Sequence, residues 1–354
     1  MVTFGSRKLG DDQPCFITFE AGPTHDSLDS AKRLVAHAAK AKADAVKFQI
    51  FDPDRLVADR KQPFTYEVLI DRDSDRRETV TEPLYDILCR RCLTEEEWRA
   101  LKTYSDSLGL AFFATVAFDD EVDFLEDLGC HSIKIASADV NHFPLIKRAA
   151  KSGLCLQLDT GNATIGEIEV AVDLIRSEGN ENIIIHHCPS GYPARLESIN
   201  LRVIPTLKQM FPYPIAYSDH SPGWEMDIAA IALGANLVEK TITEDRTTRS
   251  VEHIMSIEPA EMQAFMQSIR DLETAMGANR RMMTPVEAEK RMALRRSVHV
   301  RRDLPAGHVL QPEDVDYRRP GFGLPPSEAE RLIGKSLAHP VTAGKALSWS
   351  DTAA

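Results

Sequence analysis

Four polar side chains end two neighbouring strand-like segments in the second half of the chain. Ser218 and His220 end one apolar run, and Glu239 and Thr241 lie near the end of the next one. Side chains alternate between the two faces of a strand, so each pair shares one face. In parallel α/β enzymes the chemistry is carried by polar side chains at the carboxyl ends of strands. The spacing therefore predicts that these two strand ends form part of an active site.

Two lysines stand in other strand-like runs. Lys47 shares a strand face with Gln49, and Lys134 precedes Ser137 at the end of another run. Burying an unpaired ammonium group is costly, and an anionic ligand would remove that cost. Two lysines that converge from different strands predict a cradle for a phosphate or a carboxylate.

A carboxylate and three histidines are further candidates. Glu20 ends the first strand-like run, where a low dielectric raises a carboxyl pKa and suits a general acid or base; the alternative is a salt-bridged structural residue. His220 is the strongest candidate metal ligand, and the alternative is a hydrogen-bonded core histidine. One of His186 and His187 must face the interior, as a ligand, a hydrogen-bonding residue or a packed one.

Eight strand-like runs alternate with eight helix-like runs, and this predicts a closed (β/α)8 TIM barrel. An open doubly wound sheet is the alternative. The first fourteen residues are expected to form a hairpin that plugs the barrel floor. The long charged insertion 52–92 is expected to form a mobile loop over the active face. The predicted strands are 15–20, 45–51, 110–115, 131–137, 154–159, 182–188, 213–220 and 236–243.

The character of the sequence changes after Gly277. Residues 278–296 are rich in basic residues and methionine and predict a linker with helical stretches. Short β-type runs follow, with a near repeat of residues 306–310 at 343–347, which predicts a small β-rich domain with internal pseudo-symmetry. The predicted organisation is a barrel domain 1–277, a linker 278–296 and a small domain 297–354.

Composition restricts the partners and the compartment. The formal net charge is −12, which makes nucleic acid and an anionic membrane surface poor partners. No apolar run approaches the roughly 20 residues that span a bilayer, and no apolar signal core begins the chain, so a cytoplasmic protein is expected. The six cysteines are expected to be reduced, and the pair Cys89 and Cys92 has no second pair at zinc-site spacing.

Several motifs together resemble the sialic acid synthase family, and the tail resembles its antifreeze-protein-like (SAF) domain. The resemblance runs in order from about residue 15 to residue 349. Its motifs are Glu20-Ala-Gly-x-Thr-His25, Asp44-Ala-Val-Lys47-Phe-Gln49, Lys134-Ile-Ala-Ser137, Cys188-x-x-x-Tyr192-Pro193, Tyr217-Ser-Asp-His220, Leu233-Gly-Ala-x-x-Val-Glu239-Lys240 and Arg318-Arg319-Pro320-Gly321.

The resemblance implies a C–C bond-forming transferase. Phosphoenolpyruvate would condense with an N-acyl aminosugar aldehyde to give a nine-carbon 2-keto acid and phosphate, with a divalent metal, Mn²⁺ or Mg²⁺, polarising the aldehyde. It also implies a domain-swapped homodimer, in which Arg319 reaches the partner's sugar. The implied residues are Glu20 and His220 for catalysis, His220 and Glu239 for the metal, and Lys47, Gln49, Lys134, Ser137, Ser190, Tyr192, Ser218, Glu252 and Arg319 for the substrates.

The sequence departs from the family at several of these positions. Thr241 stands where a second metal histidine is expected, so the metal is in doubt; Glu239, His186 or His187 are alternative ligands. Asp159 replaces a phosphate-binding hydroxyl and would repel a phosphate unless it turns away or is protonated. Three other departures from the family pattern are Thr24, Glu252 and Phe322.

Three functions agree with these observations. The first is a phosphoenolpyruvate-dependent synthase that acts on an atypical sugar. The second is an enzyme on the same scaffold with a changed donor or metal requirement. The third is a catalytically degenerate sugar-binding or regulatory protein, which the two inward lysines disfavour because a binding protein would not need an unpaired lysine at each of two strand ends.

Overall fold

The protein consists of two compact units, Met1–Met276 and Gly277–Ala354. The computed structural model describes residues 1–5 and 7–353. Within these residues no helix combines the length and the apolar character that crossing a membrane would require.

The strands, in chain order, are β1 Val2–Phe4, β2 Arg7–Leu9, β3 Phe16–Glu20, β4 Ala45–Gln49, β5 Pro63–Asp71, β6 Arg76–Pro83, β7 Ala111–Val116, β8 Ser132–Ile135, β9 Cys155–Asp159, β10 Ile183–His187, β11 Ile215–Asp219, β12 Leu237–Thr241, β13 Ser297–Val300 and β14 Val315–Arg318. The helices are α1 Leu28–Ala41, α2 Pro53–Leu56, α3 Leu84–Cys89, α4 Glu95–Ser107, α5 Asp119–Asp127, α6 Phe143–Lys151, α7 Ile165–Ser177, α8 Leu196–Ile199, α9 Val203–Met210, α10 Glu225–Ala232, α11 Pro259–Met276, α12 Pro285–Leu294 and α13 Ala329–Leu332.

Eight parallel strands close into a barrel in the order β3-β4-β7-β8-β9-β10-β11-β12, and β12 pairs back onto β3. Each predicted strand is present, so the (β/α)8 barrel is confirmed. Helices begin where the sequence supplies caps: Thr94 and Glu97 form a capping box on α4, and Thr164 and Glu167 form one on α7. The run 198–210 predicts one helix from its sequence, but the chain divides it into α8 and α9 around Asn200, whose φ is +49°.

The hairpin β1–β2 closes the floor of the barrel, as predicted. Its Phe4 ring lies edge-on against Phe16 and Phe113, with ring centroids 5.0 and 5.4 Å apart. These rings join Ile184 and Leu237 in a buried apolar cluster at the amino-terminal ends of the strands. Filling the lower barrel with apolar side chains confines polar chemistry to the carboxyl end.

The insertion 52–92 forms regular secondary structure rather than the predicted loop, so that prediction is wrong. Strands β5 and β6 form an antiparallel hairpin, flanked by the short helices α2 and α3. Its buried Tyr66, Val68 and Val80 pack on Ile87 and on Val251, and this cluster is separate from the barrel core. The alternation of buried and exposed residues along β5 carries this strand signal, although charges and prolines obscure it.

The second unit has its own small core. Strands β13 and β14 pair antiparallel, and Val298, Leu310 and Leu347 are fully buried within a cluster of apolar residues. Two short 3₁₀ turns repeat one arrangement: Asp314 accepts a hydrogen bond from His308 at 2.7 Å, and Asp351 pairs with His339 at 2.8 Å. The repeated arrangement agrees with the predicted pseudo-symmetry.

A buried lysine joins β11 and β12 on the outer side of the barrel. Lys240 is fully buried, forms an ion pair with Asp219, and donates a hydrogen bond at 2.6 Å to the Ser221 carbonyl oxygen. Asp227, also fully buried, lies 3.8 Å away. Asp219 also accepts hydrogen bonds from Tyr217 and Ser221, so its carboxylate fixes the loop that follows β11.

We expect Lys240→Met to destabilise the protein by about 3–5 kcal/mol, because it leaves the Asp219 carboxylate buried without its cation. Urea unfolding measures the loss. The control Arg99→Ala breaks an exposed pair with Asp127 and should cost less than about 1 kcal/mol. Equal losses in the two variants would contradict a structural role for the buried pair.

Candidate active site

The strand register brings the predicted polar residues together at the carboxyl end of the barrel. Glu20 on β3 lies between Lys47 on β4 and Thr241 on β12, its direct partners in the parallel pairing. Ser218 on β11 lies opposite Glu239 on β12. Residues far apart in the sequence thereby share one polar chamber above the apolar floor.

An unbroken chain of ion pairs crosses this chamber. Lys134 Nζ lies 2.9 Å from Asp159 Oδ2 and 2.7 Å from Glu239 Oε1. The same Glu239 oxygen lies 2.8 Å from Lys47 Nζ, and Lys47 also pairs with Glu20. No member is more than 7% exposed. The expectation that the two lysines are unpaired is therefore wrong, because carboxyl groups from three other strands already pair with them.

The pKa shifts indicate which of these groups carry charge. Burial raises the pKa of Glu239 and of Asp159, but the nearby lysine ammonium groups outweigh burial, and both pKa values fall below the usual range. Burial lowers the pKa of Lys47, and its two carboxylate partners reverse this to a net rise. Burial raises the pKa of Glu20, and Lys47 offsets that only in part. Two ionised carboxylates thus face two ammonium groups, beside a glutamate that holds its proton more tightly.

Asp159 does not turn away from the lysines. Its carboxylate is ionised and points at Lys134, which is the arrangement that the sequence identified as unfavourable for a bound phosphate. A donor anion at Lys134 must therefore share this ammonium group with a protein carboxylate.

A neutral hydrogen-bond relay lies beneath the ion pairs. Ser218 Oγ lies 3.0 Å from both Lys134 Nζ and His186 Nδ1, and His186 Nε2 lies 2.9 Å from Gln157 Oε1. Burial lowers the pKa of His186 to about 3, so the ring is neutral. His186 is thus the inward histidine and a hydrogen-bonding residue. His187 points outward to the Ile199 carbonyl oxygen at 2.6 Å.

Glu20 is held by its own loop. Its Oε1 accepts a hydrogen bond from the Gly22 amide at 2.6 Å. A Cβ atom at Gly22 would lie 2.7 Å from both this oxygen and the backbone nitrogen of Gln49. Only glycine therefore allows the loop to approach β4 and the Glu20 side chain so closely. The carboxyl group of Glu20 is therefore fixed in orientation beside Lys47.

His220 and Tyr192 form the edge of the chamber. Their ring centroids are 4.6 Å apart, and His220 Nδ1 lies 3.1 Å from the Pro189 carbonyl oxygen. Tyr192 also lines a groove of about 450 Å³ between the β5–β6 hairpin and the loop after β10. This volume falls within the range of small-molecule sites.

The other predicted residues lie outside the ion-pair chain. Ser137 Oγ is close to Gly161, Ser190 donates a hydrogen bond at 2.6 Å to Asn162, and Gln49 lines a separate cavity of about 150 Å³ beside Trp98. Glu252 is buried near the chamber, and Arg319 lies in the second unit, on its surface.

The residues of the chamber do not fit a divalent cation. Among residues 1–5 and 7–353, no group of three or more His, Cys, Asp and Glu side chains is placed to hold one. Glu239, the predicted substitute ligand, already receives two ammonium groups on one oxygen. A divalent cation bound at Glu239 would be repelled by the ammonium groups of Lys47 and Lys134. Glu239 Oε2 and Asp159 Oδ1 have no hydrogen-bond partner among the described residues, but their carboxylates already pair with Lys134. His220 adds one imidazole, and Thr241 adds only a hydroxyl group.

Sequence reasoning missed Arg91, which follows helix α3 in the insertion. It is 5% exposed, and the carboxyl groups of Glu252 and Glu20 both act on its charge. Its position in a charged segment next to a cysteine gave no sign of burial. Only the fold of the inserted segment 52–92, which we call the hairpin lobe, shows that Arg91 is buried.

A closed parallel barrel with ionisable groups buried at its carboxyl end defines a (β/α)8-barrel enzyme. Comparison with known families matches residues 34–281 to the NeuB family and residues 295–352 to the SAF domain. The chain therefore belongs to the NeuB family.

Individual relatives cover nearly the whole chain. The N,N'-diacetyllegionaminic acid synthase of Legionella pneumophila is 35% identical over 98% of this chain and 96% of its own. The human N-acetylneuraminate-9-phosphate synthase is 30% identical over 94% of this chain and 90% of its own. The crystal structure of an N-acetylneuraminic acid synthetase from Leptospira borgpetersenii, in complex with citrate, covers 82% of this chain and 94% of its own at 31% identity, with a TM-score of 0.71.

We expect Glu252→Gln to flatten part of the pH dependence of stability. Burial raises the pKa of Glu252 to about 7 despite Arg91, and further carboxylates at Glu20 and Glu239 oppose its ionisation. Between pH 4.5 and 7 the folded state keeps a proton that the unfolded state has released, so this residue lowers stability as the pH rises. The glutamine variant should therefore gain about 3 kcal/mol over the wild type between pH 5 and 8.

Urea unfolding of both proteins at the two pH values measures this difference. The control Glu169→Gln, at an exposed position on α7, should change the free energy of unfolding equally at pH 5 and at pH 8. A constant difference between Glu252→Gln and the wild type would contradict the raised pKa.

Proposed function

We propose that this protein condenses phosphoenolpyruvate with an N-acyl aminosugar aldehyde and releases a nine-carbon 2-keto acid and phosphate. The observation that carries the proposal is the convergence of Lys47 and Lys134 on one oxygen of Glu239, because two ammonium groups in one buried chamber are what a small, highly charged donor requires. The relatives described above, which are synthases of legionaminic acid and of N-acetylneuraminate 9-phosphate, support the same chemistry.

Glu20 is the proposed acid and base. The enol carbon of phosphoenolpyruvate attacks the aldehyde carbon, and the proton held by Glu20 passes to the aldehyde oxygen as the C–C bond forms. Water then adds to the resulting oxocarbenium carbon and gives a proton back to the Glu20 carboxylate. The hydroxyl group on this carbon then gives its proton to the departing phosphate, and the loss of phosphate leaves the ketone. The raised pKa of Glu20 supports the first role, and its fixed orientation supports both.

The donor is proposed to bind across Lys47 and Lys134, with Ser218 and Ser137 as hydrogen-bond partners. Ser218 already contacts Lys134 at 3.0 Å, so both donors face one region. The acceptor is proposed to enter along the groove beside Tyr192, with Gln49, Ser190 and Glu252 as further contacts. His220 would orient the Tyr192 ring that it packs against.

The assembly is proposed to be a domain-swapped homodimer, in which Arg319 of one copy contacts the sugar in the other. The exposure of Arg319 and the 72% exposure of Phe322 support a role for this surface in contacts outside the unit. We propose a cytoplasmic location, which the six free cysteines support because reduced thiols persist there. The chamber offers a poor donor set for the divalent metal that the family pattern implies, so the steps above do not use one.

A donor of lower negative charge is the second candidate. The observation that favours it is the ion pair between Asp159 and Lys134, which places a fixed carboxylate where a phosphate group would otherwise lie.

We expect phosphate to be released when the protein is mixed with phosphoenolpyruvate and a suitable member of a panel of N-acyl hexosamine aldehydes. Free phosphate and the 2-keto acid are both measured, because condensation produces them in equal amounts. The assay is repeated with EDTA and with added Mn²⁺, and we expect equal rates because the chamber does not fit a divalent ion. The synthase proposal fails if no acceptor releases phosphate and calorimetry detects no binding of phosphoenolpyruvate.

We expect Asp159→Asn to tighten the binding of phosphoenolpyruvate by at least about fivefold, because removing one like charge at about 4 Å is worth 1 kcal/mol or more. Isothermal titration calorimetry gives the affinity. The control Asp271→Asn, on the exposed face of α11, should leave it unchanged. Weaker binding in Asp159→Asn would instead favour the donor of lower charge.

A further inference from the structure

Lys134 has already used its N–H bonds on protein atoms. An ammonium group carries three of them. Lys134 Nζ lies 2.7 Å from Glu239 Oε1 and 2.9 Å from Asp159 Oδ2, and its third contact is Ser218 Oγ at 3.0 Å. Among the described residues Lys47 Nζ contacts two carboxyl groups, so it keeps one N–H bond. The two lysines therefore offer an incoming anion two positive charges but only one free N–H bond.

The hydroxyl proton of Ser218 is also committed. Ser132 donates to the Cys155 carbonyl oxygen at 3.0 Å, so its hydroxyl oxygen accepts from Gln157 Nε2 at 2.7 Å. Gln157 Oε1 then faces His186 Nε2 at 2.9 Å, and this nitrogen carries the proton of the neutral ring. His186 Nδ1 must accept a hydrogen bond, and its donor is Ser218 Oγ at 3.0 Å. Toward a ligand, Ser218 is left as an acceptor.

Two buried carboxylate oxygens in the same chamber lack a donor. Asp159 Oδ1 and Glu239 Oε2 have no hydrogen-bond partner in the described part of the chain. Asp159 is 7% exposed and Glu239 is 4% exposed, so a missing partner is costly at both positions. The thiol of Cys188 also faces Asp159, but it is a weak donor and contacts the Pro189 carbonyl oxygen at 3.6 Å. A ligand that brings its own hydrogen-bond donor would satisfy Asp159.

A fully ionised phosphate group does not fit these partners. All of its free oxygens are acceptors, and one that approached Asp159 would place two negative charges in contact. A phosphate group that keeps one proton carries less charge and presents a P–OH donor beside its acceptor oxygens. The carboxylate of Asp159 accepts from this P–OH group, and the free N–H bond of Lys47 is available to an unprotonated oxygen. The proton then lies on the ligand, while Asp159 stays ionised beside Lys134.

We propose that the phosphate group of phosphoenolpyruvate binds with one proton attached, and that this P–OH group donates a hydrogen bond to Asp159 Oδ1. Asp159 is then a specificity-determining residue, because it selects oxyanions that carry a proton. The inference rests on the proposed function and deepens it, since it states the form in which the phosphate donor is bound.

The titratable groups that face Asp159 hold a constant charge between pH 7 and pH 8.5. Burial lowers the pKa of the three histidines among them and raises the pKa of the thiol and of the phenol well above their usual values, while the glutamate stays ionised. A pH dependence of binding in this range is therefore not due to these groups. They are Lys134 on β8, His186 and His187 on β10, Cys188 and Tyr192 after β10, His220 after β11 and Glu239 on β12.

The first test compares inorganic phosphate with sulfate at pH 8. Both ions are tetrahedral and carry mainly two negative charges, but only phosphate keeps a proton. In calorimetry we expect the wild type to bind phosphate about tenfold to a hundredfold more tightly than sulfate, which is the value of one hydrogen bond to a charged group. Asp159→Asn offers an amide N–H as well as a carbonyl oxygen, so it should bind the two ions within about threefold of each other.

Two further variants complete this comparison. Asp159→Ser also removes the charge and keeps a group that both donates and accepts, so it serves if Asp159→Asn does not fold. The control Asp271→Asn, on the exposed face of α11, should keep the wild-type preference for phosphate.

The second test follows the affinity for phosphoenolpyruvate from pH 7 to pH 8.5. A phosphate monoester loses its second proton with a pKa of about 6, so the protonated form decreases about tenfold for each pH unit in this range. Sulfate does not titrate here, so its affinity records any change at Glu20 and Glu252. For the wild type, the ratio of the affinity for phosphoenolpyruvate to that for sulfate should fall by about tenfold per pH unit. In Asp159→Asn this ratio should stay nearly constant.

Three results overturn the proposal. They are equal binding of phosphate and sulfate by the wild type, no binding of either ion, and a preference for phosphate that survives in both Asp159→Asn and Asp159→Ser. The two proposals fail separately. If the wild type shows the Asp159-dependent preference but no acceptor aldehyde releases phosphate, this inference stands and the synthase proposal fails. If phosphate is released while phosphate and sulfate bind equally, the reverse is true.

Discussion

The burial of two ammonium groups inside a closed barrel is the constraint on which the rest of this structure depends. Lys47 and Lys134 are almost completely removed from water, and each therefore requires carboxylate partners. Glu239 serves both lysines with one oxygen, while Glu20 and Asp159 complete the chain at either end. Because these residues come from different strands, the chain of charges forms only when the barrel is closed in the correct register.

This charge balance also limits the chemistry of the chamber. The two ammonium groups are neutralised before a ligand arrives, so an incoming anion competes with Asp159 and Glu239, and a divalent cation would face both lysines. Glu20 is the exception, because burial raises its pKa and leaves it able to exchange a proton. The chamber therefore favours proton transfer at one carboxyl group, while the other charges hold one another in place.

The hairpin lobe adds a second, independently ordered element to the site. It has its own apolar cluster, which touches the barrel loops through Val251, next to Glu252. Arg91, which follows α3 in this lobe, is buried and lines a cavity together with Gln49 and Trp98.

The sequence by itself determined the eight strands, the hairpin on the barrel floor and the strand-end residues, because period-two alternation and turn residues are local properties. It also marked Thr241 and Asp159 as unusual. Only the tertiary structure decided which charges meet. Contacts between segments far apart in the chain decide three features: the pairing of Lys134 with Asp159, the inward turn of His186 rather than His187, and the burial of Arg91. Alternation assigns a side chain to a face of its strand, whereas the neighbours it finds there depend on barrel closure and on the fold of the inserted lobe.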